Sequence, residues 1–64
     1  MKIGDKLLLL ELGIDYMTKG KIYTIKRTET FGTSRYFSVT TDNNFVCYFN
    51  ESEIGKKFKD LSNG

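Results

Sequence analysis

Turn residues break this chain at short, regular intervals, and that spacing limits what it can fold into. β-rich runs at Asp5–Leu12, Lys21–Thr30, Arg35–Thr41 and Phe45–Phe49 alternate with Gly13 to Gly20, Phe31-Gly32-Thr33-Ser34 and Asp42-Asn43-Asn44. Several short strands set apart by regular turn signals predict an all-β barrel or sandwich. With 64 residues the chain makes one domain, and a domain of that size buries only about 60% of its unfolded surface.

Within the runs, side-chain alternation sorts residues into faces. Tyr23 and Ile25 share one face, opposite Ile22, Thr24 and Lys26; Phe37 and Val39 share one, opposite Tyr36, Ser38 and Thr40; Phe45, Cys47 and Phe49 share one, opposite Val46 and Tyr48. The four leucines Leu7–Leu10 favour helix by propensity, but Gly4 and Gly13 leave too little length for one. A strand buried on both faces is the expectation there. Asp42-Asn43-Asn44 predicts a hairpin loop, because Asn and Asp tolerate left-handed backbone. Asn50-Glu51-Ser52-Glu53 has capping-box spacing and predicts one helical turn, stopped by Gly55. A longer helix aligning Ile54, Phe58 and Leu61 is the competing reading. The expected core is Leu7, Leu9, Tyr23, Ile25, Phe37, Val39, Phe45, Cys47, Phe49, Ile54 and Phe58. The domain is expected to span residues 1–61, with 62–64 a frayed tail.

Such a small domain often needs a disulfide or a structural metal. Cys47 is the single cysteine and there is no histidine, so an internal bridge is impossible and the usual zinc ligands are lacking. Stability is left to apolar side chains, for which five Phe and four Tyr are a good supply. Ten Lys and Arg against eight Asp and Glu give a net charge of +2, weaker than a dedicated duplex binder carries. The longest early apolar run, Leu7–Leu10, is too short for a signal or a membrane span. The expectation is a cytoplasmic protein with no membrane partner and a reduced Cys47.

The order of elements resembles the SH3-like small barrels. Ile3-Gly4-Asp5-Lys6-Leu7 and then Lys19-Gly20-Lys21-Ile22-Tyr23-Thr24-Ile25 carry the first part of the resemblance; Phe45-Val46-Cys47-Tyr48-Phe49-Asn50 leading into Glu53-Ile54 carries the second. Together they are similar to small barrel proteins of bacteriophage genomes and, more distantly, to KOW-type RNA-binding modules. The resemblance implies a five-stranded barrel with one helical turn before the last strand. It also implies a modulator that binds a host protein.

Without histidine, a Ser-His or Cys-His pair is impossible. Glu51 and Glu53 diverge by about 200° on a helical turn, which leaves Glu53 to capping. Cys47, flanked by Phe45 and Phe49, reads as an inert buried thiol. The six glycines are scattered, so no phosphate-cradling loop is present. The expectation is a protein without catalytic residues, metal or cofactor.

Basic residues interleaved with aromatics stand out more. If Lys21–Thr30 and Arg35–Thr41 pair, Lys26, Arg27 and Arg35 should cluster near Phe31. Phe31, Tyr36 and Tyr48 would then stack on bases while those cations meet phosphates. The same rings can instead anchor a protein interface, with Tyr16 and Met17 adding to it. Near-neutral charge favours the protein interface, with a KOW-like RNA- or single-strand-binding module as the alternative. An accessory protein self-associating through edge strands is a third reading. Lys56, Lys57 and Lys59 read as a solvated terminal face.

Overall fold

Alternation, more than leucine content, decides where the strands lie. A computed structural model describes residues 2–62. It contains β1 (Lys6–Leu9), β2 (Ile22–Phe31), β3 (Ser34–Thr40), β4 (Val46–Asn50), a 3₁₀ turn (Glu51–Glu53) and β5 (Phe58–Asp60). The protein is all-β: the strands form one antiparallel sheet in the order β4-β3-β2-β1-β5, with β4 and β5 at its edges. Residues 54–57 turn the chain from the 3₁₀ turn into β5, so the longer terminal helix does not form.

β1 is half the length expected and is not buried on both faces. Leu7 and Leu9 are buried, Leu8 is half-buried, and Leu10 and Leu12 are exposed. After Leu9 the chain leaves the ladder for the long loop that leads to β2. Residues 32 and 33 alone turn between β2 and β3, so Phe31 and Ser34 belong to strands. Gly32 takes φ +61° at the first turn position, where a two-residue hairpin loop favours glycine. The Asp42-Asn43-Asn44 hairpin forms as expected, with Asn44 at φ +67°.

Leu7, Leu9, Tyr23, Ile25, Phe37, Val39 and Phe58 make the buried core, and Ile14, Met17, Phe49 and Ile54 pack against it. Phe37 stacks on Phe49 at 5.8 Å, and Phe58 meets both rings edge-on, at 5.6 Å from Phe37 and 5.0 Å from Phe49. Phe49 lies on β4 and Phe58 on β5, so the sheet coils until side chains of its two edge strands touch. Each buried ring contributes roughly 1.5–3 kcal/mol.

Three expectations about the core need correcting. Phe45 lies just before β4 and is 66% exposed. Its N–H donates to Thr41 Oγ1 and its carbonyl accepts from the Thr41 N–H, so the tight turn turns the ring outward before the alternation begins. Cys47 is half-buried on an edge strand. Met17, expected on a partner surface, packs on the core instead.

Asn50 Oδ1 accepts from the Ser52 N–H at 2.9 Å, which is half of the expected capping box. Glu53 turns to Lys57 Nζ at 3.3 Å rather than back to Asn50. Ser62, expected to be frayed, is held by a hydrogen bond: its Oγ accepts from the Lys6 N–H at 2.8 Å. Residues 63 and 64 lie outside the described residues.

Candidate functional site

A one-residue bulge in β2 creates the site. Ile25 pairs with Val39 and Arg27 with Ser38, so Lys26 is the extra residue. A bulge of this kind shifts the two-residue alternation by one. Upstream, Tyr23 and Ile25 point into the core. Downstream, Thr28 pairs with the buried Phe37 and takes the inner side, which leaves Arg27, Glu29 and Phe31 on the outer face.

Tyr36, Ser38 and Thr40 of β3 and Val46, Tyr48 and Asn50 of β4 continue that outer face across the sheet. Glu29 lies opposite Tyr36, Phe31 opposite Ser34, and Tyr48 opposite Ser38. The three rings therefore run diagonally over β2, β3 and β4, a spacing within reach of aromatic side chains. Phe31 meets Tyr36 edge-on at 5.8 Å. Phe31 is still 65% exposed and Tyr48 49% exposed. Glu29, Phe31, Tyr36 and Tyr48 line an open trough of about 550 Å³, a size typical of ligand clefts.

Of the six expected partner-binding residues, the structure gathers Phe31, Tyr36 and Tyr48 and sets Arg27 beside them on the same face. Phe31 is not an isolated ring at a turn tip, because Tyr36 supports it. The expected cluster of Lys26, Arg27 and Arg35 does not form. Arg27 and Arg35 are three ladder rungs apart on opposite sides of the sheet, about 10 Å along the strand. Arg35 Nη1 instead lies 3.4 Å from Glu51 Oε2. Lys26 is the exposed bulge residue.

Two residues of this face escaped the sequence reading. Glu29 is half-buried and lines the trough. Among the described residues the ion pairs are Lys21–Asp42, Arg35–Glu51, Lys57–Glu11 and Lys57–Glu53, and Glu29 belongs to none. Ser38 is fully buried between Arg27 and Tyr48 as cross-strand neighbours, and its hydroxyl has no hydrogen-bond partner among the described residues. The signal that exposes Glu29 is its two-residue spacing from Arg27 and Phe31, visible once Phe31 is placed in the strand.

A separate polar cluster fastens the long loop before β2. Asp42 Oδ1 accepts from Lys21 Nζ at 2.6 Å and from the Tyr23 hydroxyl at 3.0 Å, and Oδ2 accepts from Thr18 Oγ1 at 2.8 Å. The Tyr23 hydroxyl accepts from the Thr18 N–H at 2.7 Å. The hydrogen bond to Lys21, then that from Thr18, holds the Asp42 carboxyl below its ordinary range; the bond to Asp42 raises the Lys21 ammonium above its own. These groups satisfy one another and stand apart from the trough.

The chain matches no protein-family model, no curated protein and no solved structure. Among the described residues, no helix is long and apolar enough to cross a membrane, and no cluster of three or more His, Cys, Asp or Glu is placed to hold a metal ion.

Proposed function

We propose that the chain is a non-enzymatic, cytoplasmic binding module of the SH3-like barrel type that docks a protein partner on the outer face of β2–β4. The observation that carries this reading is the convergence of Phe31, Tyr36 and Tyr48 on one trough, with two of the rings about half or more exposed. Exposed aromatics in a concave site are the usual anchors of protein interfaces. The strand order and the 3₁₀ turn before β5 support the barrel type, since they follow the order implied by Ile3–Leu7, Lys19–Ile25 and Phe45–Asn50. The resemblance carried by those stretches is the support for a host protein as the partner.

A nucleic-acid ligand fits the same face less well. The trough holds a carboxylate, which repels phosphate, and Arg35 is engaged on the other side with Glu51.

The test is recovery of a partner from host lysate with and without nuclease. Nuclease should leave recovery unchanged, and Phe31→Ala or Tyr36→Ala should each weaken it by about 2 kcal/mol or more. Arg27→Ala plus Arg35→Ala should have little effect. Tight RNA binding with a steep salt slope, abolished by that double change, would overturn the proposal.

A further inference from the structure

We infer that the trough takes an arginine side chain presented by the protein partner; this rests on the reading of the outer face as a docking surface. Among the described residues, Glu29 is the one charged group lining the trough. It lies opposite Tyr36, is half-buried, and belongs to none of the ion pairs among the described residues. An apolar side chain seated among the three rings would strip water from that carboxylate and give it no partner, which is costly. A cation removes the conflict, because it pairs with Glu29 and is attracted to the negative faces of the rings.

The shape of the trough selects among cations. It is an open groove on a sheet surface, lined by Phe31, Tyr36 and Tyr48 along a diagonal. A compact ammonium in an open groove keeps its strong hydration. A planar guanidinium is more weakly hydrated, lies flat on a ring and forks two N–H donors onto a carboxylate.

Arg27 makes the assignment sharper. It lies two residues before Glu29 on the same face and is exposed. There it competes with an incoming arginine for Glu29. Removing Arg27 therefore leaves arginine binding unchanged or tightens it, the opposite of what a phosphate ligand requires.

The experiment is an amide chemical-shift titration of the ¹⁵N-labelled protein with a capped five-residue peptide bearing one central arginine. The same peptide with citrulline keeps the shape and removes the charge, and a lysine version keeps the charge and changes the geometry. The arginine peptide should give saturable shifts confined to the strands around Glu29, Phe31, Tyr36 and Tyr48. Citrulline, or Glu29→Gln in the protein, should weaken binding about threefold to tenfold or more. Arg27→Gln should not weaken it.

Absent or scattered shifts, equal binding of the citrulline peptide, or an unaffected Glu29→Gln protein would each overturn the inference. A preference for the lysine peptide would overturn the choice of arginine. If arginine selectivity fails while Phe31→Ala still abolishes partner recovery, the docking face stands without its arginine. If both fail, both readings fall. The dispersed spectrum of each variant reports that it is folded.

Discussion

Ser38 holds a polar atom where the fold gives it nothing to bond. Its side chain is fully buried on the outer side of β3, and its hydroxyl lacks a partner among the described residues. A buried polar group left unsatisfied costs about 1–3 kcal/mol. Ser38→Ala removes that cost and only one heavy atom, so it should stabilise the protein. For a domain of this size, each 1 kcal/mol gained raises the melting temperature by roughly 4–8 °C. A lower melting temperature for Ser38→Ala would show that the hydroxyl is bonded after all.

Asp42 gives the opposite case, an acid with more partners than its exposure would suggest. Its lowered pKa means that its contribution is present above about pH 4 and fades as the pH falls through the still lower folded value. The raised value of Lys21 works the other way: its contribution is present through neutral pH and fades as the pH climbs past the ordinary lysine range. Asp42→Asn should therefore lower the melting temperature near neutral pH. The gap from the unaltered protein should close in strong acid, where Asp42 itself is uncharged. Thermal melts at about pH 7 and about pH 2 measure both ends.

Among the elements, the 3₁₀ turn does more than its length suggests. It leads the chain from edge strand β4 toward edge strand β5, and Asn50 fixes its start by accepting from Ser52. Asn50→Ala should cost about 0.5–2 kcal/mol in a denaturant titration. Glu53→Ala should cost less, because its exposed pairing with Lys57 is worth little.

This turn was legible from spacing alone, since Asn50, Glu51 and Ser52 are local determinants. The Asp42-Asn43-Asn44 loop was legible for the same reason. The extent of β1 was not, because a leucine run carries no alternation from which to read an edge. Nor were the roles of Ile14 and Met17, which depend on a loop folding back over the core.

For the whole molecule, the aromatic triangle of Phe37, Phe49 and Phe58 links the middle of the sheet to both edges. A domain of this length has a total stability on the order of 3–10 kcal/mol. Truncating a buried phenylalanine costs about 3–5 kcal/mol. Phe37→Ala, at a fully buried position, should remove a large share of that stability and give the lower melting temperature of the two. Phe49→Ala, at a partly exposed one, should remain folded with a clearly lowered melting temperature. Circular dichroism melts of the two variants check that ranking.

Seven of the eleven residues expected in the core are buried there, because alternation reports faces well while the register is unbroken. The candidate site was legible only in part. Phe31, Tyr36 and Tyr48 stood out as rings, but their convergence with Glu29 depends on a break in register that no residue type announces.

That break has a bearing on how the face can change over time. On either side of Lys26, β2 runs in two phases, and the identity of every outward residue downstream depends on a count, not on a preference for any side chain. Substitutions can alter the trough one lining at a time and leave the rest in place. Loss of the Lys26 codon would only remove the bulge: Arg27 would still stand opposite Ser38, and regular alternation would keep Glu29 and Phe31 on the outer side. A codon lost or gained beyond the bulge, between Arg27 and Phe31, would instead exchange the sides of the residues that follow it. The outer face of β2–β4 is thus graded toward point changes and all-or-none toward length changes beyond the bulge, so divergent copies of this chain should vary in sequence here while keeping the stretch from Arg27 to Phe31 fixed in length.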